Sequence, residues 1–256
     1  LIVGALNIAP VRQALLQLAL ESIESEELRV DIADIGGSWP RQLVIEELRL
    51  GDGNGEWLTL ARLELDWHPL ALWRGTVHVE RLVANGLTVL RSPAGGETEA
   101  ETDTRFEIPM LPIAIDIRHL ELGDMRIGGS VAGQDVTLDA KGALTFAHGG
   151  GTIMLEATRV DGIMGGIGLV LAYSPARGEG DLSLTLEDGA AGRPGLARSL
   201  LGIDGLDHFT MRANGLMREG LMTGNASING GTAIDAELDV HGALTQGTSL
   251  NLQLAA

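Results

Sequence analysis

Six histidines and thirty-five carboxylates are the residues of this chain best equipped for chemistry, and their spacing argues against most of it. His68, His78, His119, His148, His208 and His241 are dispersed. No HExxH or HxxxH pair presents two imidazoles to zinc from one helix face. His78 falls at the polar phase between Val77 and Val79, which predicts a solvent-facing side chain. The chain has no cysteine, so thiolate metal sites, thiol catalysis and a disulfide scaffold are excluded. No GxSxG elbow or P-loop occurs. The glycines of Gly162-Ile-Met-Gly-Gly-Ile-Gly168 lack the preceding strand and following helix that a phosphate cradle needs, and they predict a bulged strand or wide turn. Asp52-Gly-Asn-Gly-Glu56 resembles the start of a calcium loop, but Trp57 stands where that loop requires glycine. A hairpin turn is expected there instead. Glu64 and Asp66 occupy the polar phase of a strand, where solvation is their role. Asn225-Ala-Ser227 matches a glycosylation sequon, which matters only in a eukaryotic secretory pathway. The expectation is a non-enzymatic chain with no metal and no cofactor.

Charge narrows the partners. The net charge is −17, and the eighteen basic residues, of which only Lys141 is a lysine, are scattered. A nucleic-acid backbone needs a basic stripe, so nucleic acid is excluded as a partner. Apolar residues make up 45% of the chain but aromatics only 3%, so the apolar mass is Leu, Ile, Val and Ala. Glycine, at 36 of 256, fits a turn-rich chain better than a helical one.

The elements that must position these side chains are mostly strands. Helical spacing shows in Val11, Ala14, Leu15, Leu18, Ala19 and Ile23 after Pro10, predicting an amphipathic helix over 9–26. Residues 1–8 are apolar but far short of the ~20 that span a bilayer. They read either as the remnant of a membrane anchor or as a buried lead-in. From Glu27 the period is two, and 27–256 reads as one elongated β domain. Its apolar phase holds Leu58 and Leu60, then Leu63, Leu65 and Trp67, then Val77 and Val79, then Leu87 and Val89. It continues through Ile113, Ile115 and Ile117, through Val136 and Leu138, and through Ile153 and Leu155. Leu182, Leu184 and Leu186 follow, then Ile234, Leu238 and Val240, and last Leu250, Leu252 and Leu254. Turn signals such as Asp52–Gly55, Asn85-Gly86, Asp161-Gly162 and Asn229–Gly231 separate about fifteen strands. Segment 92–110 is acidic, with a flexible loop expected near 92–105, and a second helix is expected over 193–202. Pro69 ends a strand at His68, and Leu70, Leu72 and Trp73 are expected to close one end of the fold or pack on its rim.

Two helices cannot cover the apolar side of so many strands. Fifteen strands at ~4.8 Å spacing make a sheet on the order of 70 Å long, and open sheets beyond about ten strands curl or split. The face must close as a barrel, pack as a sandwich or curl into a trough. A sandwich usually bridges its ~10 Å core with aromatics, which are scarce here. A trough lined with aliphatic branches suits a flexible hydrocarbon guest.

The run Gly55–Arg91, with Trp57-Leu-Thr-Leu60, Leu63-Glu-Leu-Asp-Trp67, Pro69-Leu-Ala-Leu72, Val77-His-Val79 and Gly86-Leu-Thr-Val89 in order, resembles the N-terminal region of the TamB family. Gly195–Ile203, Met211–Leu216 and Gly224–Ile228 are similar to later repeats of that family. The resemblance implies a mainly β fold: a long curled antiparallel sheet enclosing a hydrophobic groove, preceded by a short amphipathic helix. It implies a periplasmic, AsmA-like protein of Gram-negative bacteria, anchored in the inner membrane through its N-terminus and carrying phospholipid to the outer membrane. It also implies a link to outer-membrane protein assembly with the barrel partner TamA, through a region beyond residue 256. Two functions are therefore in play. One is a conduit whose aliphatic floor holds acyl chains, at about 0.8 kcal/mol per buried CH₂. The other is a scaffold that offers strand edges to β-barrel clients.

Overall fold

The computed structural model describes residues 28–93, 105–107, 113–147, 150–189, 195, 208–219, 221–230, 234–245 and 249–255. Side chains are described for these residues except 105–107, 222, 238 and 240–255. The helix expected over 9–26, the lead-in 1–8 and the acidic stretch 94–104 lie outside the described residues. So does the helix expected over 193–202, Gly195 apart.

Fourteen strands form one open, curled sheet. They are β1 (Arg29–Gly36), β2 (Gln42–Asp52), β3 (Gly55–Trp67), β4 (Thr76–Val89), β5 (Arg105–Glu107), β6 (Ala114–Ile127) and β7 (Val136–Ala147). Then come β8 (Gly150–Arg159), β9 (Gly165–Ser174), β10 (Glu179–Gly189), β11 (His208–Arg218), β12 (Leu221–Asn229), β13 (Asp235–Thr245) and β14 (Ser249–Ala255). Chain order is sheet order except for β5, which pairs with β14 at the far edge. The sequence reading missed β2. Its Leu43, Val44 and Ile45 run together and its apolar phase changes partway, so no clean alternation marks it.

The sheet is not wholly antiparallel, which corrects the expected arrangement. β4 and β6 are parallel, with Val77 opposite Ile115 and Val79 opposite Ile117. A parallel neighbour needs a crossover of a dozen or more residues. Segment 90–113 supplies that length, so β6 starts beside the start of β4 instead of folding back on its end.

Helix is almost absent among the described residues. Pro69–Arg74 forms a 3₁₀ turn that ends on Gly75 in the left-handed region (φ 69°), and Gly129–Ala132 forms a single helical turn. The corner at Pro69 does not pack as expected. Trp73 is 90% exposed and Leu70 79%, and only Ala71 is buried. A six-residue 3₁₀ turn seats one short side chain against β4 and leaves its large ones in solvent.

A line of irregularity crosses half of the sheet. Apolar positions pass from Ile45 to Leu48 in β2, from Leu60 to Leu63 in β3, from Ala84 to Leu87 in β4 and from Leu122 to Met125 in β6. Each strand therefore carries one extra residue at the same level: Glu47, Ala61, Gly86 and Asp124. Asn85-Gly86 is accordingly no hairpin turn; it lies inside β4. Gly86 takes a left-handed φ of 69°, and a Cβ there would stand 2.9 Å from that of Ala61. Glu47 and Asp124 share the left-handed region at φ 52° and 51°. The line ends at β7, where Gly123 and Asp124 oppose the single residue Asp139, whose Oδ1 accepts the Asp124 amide at 2.9 Å. Such bulges bend and twist a sheet, which is the local cause of its curl.

Two buried charge clusters pin strand ends. Asp52, 3% exposed at the β2–β3 hairpin, accepts the Asn54 amide at 2.7 Å and both Nη atoms of Arg91. The Arg159 guanidinium, 2% exposed, donates to Asp188 at 2.9 Å and to Asp161 at 2.7 Å. Burial alone would raise the Asp161 carboxyl. The Arg159 hydrogen bond and the Ile163 and Thr137 amides outweigh it and hold that carboxyl below the usual range.

Three stability measurements test this architecture. Trp73→Ala is expected to leave the melting temperature unchanged, as surface changes generally stay within about 0.5 kcal/mol. A drop of several degrees would show that the ring is packed. In urea titration at constant m, Glu47→Gly is expected to gain up to about 1 kcal/mol and Glu47→Val to lose about as much, because only glycine occupies left-handed φ without penalty. Asp161→Asn is expected to cost about 1.5–3 kcal/mol at pH 7, the value of a hydrogen bond to a charged group. A depressed carboxylate stabilises fully above its unfolded pKa and loses that contribution as pH falls through its folded one. The gap between Asp161→Asn and the unaltered protein should therefore shrink toward pH 3, and a constant gap would contradict the assignment.

Candidate apolar binding face

Residues directly opposite one another on neighbouring strands point to the same side of a sheet, so the register shows which side chains share a face. One row runs through eleven strands: Leu43, Leu65, Leu82, Leu120, Gly142, Leu155, Leu169, Leu184, Ala213, Ala226 and Leu238. Its neighbour runs Trp67, Val79, Ile117, Leu144, Ile153, Leu171 and Leu182, then Gly215 and Gly224, to Val240 and Leu254. On the other side of the first row stand Ile45, Leu63, Ala84, Leu122, Ala140, Ala157, Ile167, Leu186, Met211 and Ile228. Across the first six strands in sheet order, beyond the bulge line, Val30, Leu50, Leu58, Val89, Ile127 and Val136 form a further row.

Most residues expected to line a groove fall on this single face. Leu60 and Leu87 oppose each other, Leu138 stands opposite Arg159, and Ile115 opposes Val77. Without the shared bulge line, Leu58 and Leu60 would face away from Leu63 and Leu65. Ile113 stands just before β6 and is 42% exposed. Ile234 precedes β13 and is half-buried. Leu238, Val240, Leu250, Leu252 and Leu254 hold their register positions in β13 and β14, and their side chains lie outside the described ones.

One residue along, the register gives a different surface. Glu64, Val83, Glu121, Lys141, Glu156, Gly168, Thr185, Arg212, Ser227 and Glu237 form its central row. Ion pairs knit it: Arg62 to Glu46 and Glu64, Arg81 to Glu64 at 3.5 Å and to Glu121 at 3.8 Å, Lys141 to Glu156 at 3.2 Å. Exposed pairs of this kind contribute little stability each, and their effect is to keep this side hydrated. The polarity thins toward the later strands, where Met154, Val170, Leu216 and Leu221 point outward and are 41–64% exposed.

The aliphatic face is only half-covered. Among the described elements, extensive contacts run between strands adjacent in the sheet and between β4 and the 3₁₀ turn, with no second layer across either face. Among the described residues Val136, at 1%, is the one large side chain below 2% exposure, while Leu58, Leu63, Leu65, Leu155, Leu171 and Leu182 remain half-buried. A hollow of about 1140 Å³ opens on the opposite side, over Gly166 and Gly168 of β9 beside Met154 and Val170. Among the described residues the aliphatic face is thus a broad surface and not an enclosed cavity.

The structure also joins two histidines that the sequence keeps ten residues apart. The His68 and His78 rings stand 4.9 Å from each other, with Glu80 beside both. Helical metal spacings do not detect such a cluster. A cross-strand pair of histidines flanking a tight corner, followed by His-x-Glu on one strand face, is the signal that would have found it.

The N-terminal domain of TamB matches residues 3–164, more than half of the chain. No curated protein and no solved structure matches it. The matched span holds β1 to β8, and with them the ordered run Gly55–Arg91 and the bulge line that aligns the aliphatic rows. The chain belongs to the TamB family.

Proposed function

We propose that this chain is part of a periplasmic conduit for phospholipid, in which acyl chains lie against the aliphatic face while headgroups stay in water. The observation that carries this reading is the continuity of the leucine-rich rows across eleven strands, with no described element covering them. A monomeric soluble surface rarely leaves a contiguous apolar patch beyond a few hundred Å² unless something binds it. Each buried CH₂ of a guest contributes about 0.8 kcal/mol whatever its position. Such a floor holds lipid without fixing it, and a mobile guest needs no catalytic group, so the conduit is read as non-enzymatic. Membership of the TamB family supports an envelope role. Anchorage in the inner membrane, delivery to the outer membrane and work alongside TamA belong to the same reading. No described helix is long and apolar enough to cross a membrane.

A photo-crosslinking amino acid placed alternately at Leu182 and Ser183 tests it, because the two are adjacent and face opposite sides of β10. Phospholipid adducts are expected from Leu182 and not from Ser183 when the protein is irradiated in cells. In parallel, Leu171→Asp should abolish those adducts at normal protein level, whereas Val170→Asp should leave them. Equal adducts from both faces would refute the conduit. Adducts to β-barrel clients from edge strand β1, with no lipid at Leu182, would replace it with strand-edge scaffolding.

A further inference from the structure

On the polar side of the sheet, where β3 ends, three groups with metal-binding atoms converge. His68 follows β3 directly. Pro69 disfavours helical backbone for it, and its amide donates to the carbonyl of His78 at 2.9 Å. His78 and Glu80 lie two apart on β4 and project from the same side. One ligand atom from each of the three lies within 4.8 Å of the other two. His78 Nε2 is 3.6 Å and His68 Nε2 4.0 Å from a Glu80 carboxylate oxygen, both longer than a hydrogen bond. Ligands about 2.0–2.1 Å from a tetrahedral zinc stand roughly 3.3–3.4 Å from one another, so small side-chain rotations close the set.

A fourth residue makes this arrangement more than a chance meeting of side chains. Asp116 stands opposite His78 in the parallel β4–β6 ladder, and its Oδ2 is 2.7 Å from His78 Nδ1. An ionised carboxylate only accepts, so Nδ1–H donates to it and the lone pair of a neutral His78 is left on Nε2, on the side of Glu80 and His68. This carboxylate–histidine arrangement is the one that supports metal-bound imidazoles, fixing the tautomer and raising ligand basicity. Arg118, 3.7 Å from Glu80 and 3.8 Å from Asp116, offsets one of the two negative charges and leaves the cluster net attractive to a cation.

We propose that His68, His78 and Glu80 bind a divalent transition-metal ion, with zinc the best match, and that Asp116 orients His78 for it. Two imidazoles and one carboxylate suit zinc far better than calcium or magnesium, which take oxygen ligands. Water fills the fourth position. The ion would tie the end of β3 to β4 at the level where β4 carries a second bulge, between Val79 and Leu82 against Trp67 and Leu65. The site lies on the face away from the leucine rows and is independent of the conduit.

Zinc titration of the purified chain by calorimetry, paired with thermal melting, tests the proposal. The unaltered protein should bind one zinc saturably and melt at a higher temperature with zinc than without. His68→Gln, at a position whose side chain is 44% exposed, should melt normally without zinc and lose both effects. Asp116→Asn should retain one site with affinity lowered about ten- to hundredfold. Absence of saturable binding, or an unchanged isotherm in His68→Gln, would overturn the site. Equal affinity in Asp116→Asn would overturn the role of Asp116.

Discussion

A strand in this sheet has an apolar side to shelter and, among the described elements, no second layer to shelter it. Its side chains find apolar neighbours only along the sheet, on the strands to either hand. Everything therefore depends on register. A slip of one residue would turn a whole strand's leucines into the polar side and its glutamates into the aliphatic one. Register is held by short connections between most successive antiparallel strands and by the buried Asp52–Arg91 and Arg159–Asp161–Asp188 clusters at strand ends. Losing a partner from such a cluster strands a buried charge, which costs far more than an exposed ion pair contributes.

The same constraint explains why irregularities come as lines. An extra residue in β3 alone would set Leu63 and Leu65 out of phase with both neighbours. The insertion is tolerated because Glu47, Ala61, Gly86 and Asp124 fall at one level, so β2, β3, β4 and β6 change phase together. At β7 the series stops, and the mismatch is taken up by a bulge held by Asp139. Beyond it, β7 alternates without interruption from Val136 to Phe146. Curl and facial segregation thus have one origin. Bulges bend the sheet, and because they are shared they bend it without mixing its faces.

Separation of faces also separates chemistries. The aliphatic side offers area without direction, which suits a guest that must slide. The opposite side is rich in paired charges and holds the cluster of His68, His78, Glu80 and Asp116, where geometry is specific. Glycine contributes differently on the two sides. Gly166 and Gly168 lack the side chains that would fill the hollow on the polar side, whereas Gly215 and Gly224 thin the aliphatic rows toward the later strands.

The sequence by itself determined that the chain is a β protein with one aliphatic and one polar side. Period-two alternation such as Leu182-Ser-Leu184-Thr-Leu186 follows from strand geometry and needs no distant partner. The hairpin at Asp52–Gly55 and the end of a strand before Pro69 were equally legible, since each is fixed by local backbone preference. Three features were decided only by the tertiary structure. Asn85-Gly86 has the dipeptide signature of a turn, yet the long pairing of β4 with β3 and β6 draws it into a strand as a bulge. Trp73 has the apolar area of a core residue, but among the described elements the corner that carries it has no layer beneath which to bury it. The parallel meeting of β4 with β6, and with it the contact of His78 with Asp116, depends on where a crossover of more than twenty residues returns to the sheet. Local propensity carries no information about that return, because it is fixed by hydrogen bonding between strands thirty-eight residues apart.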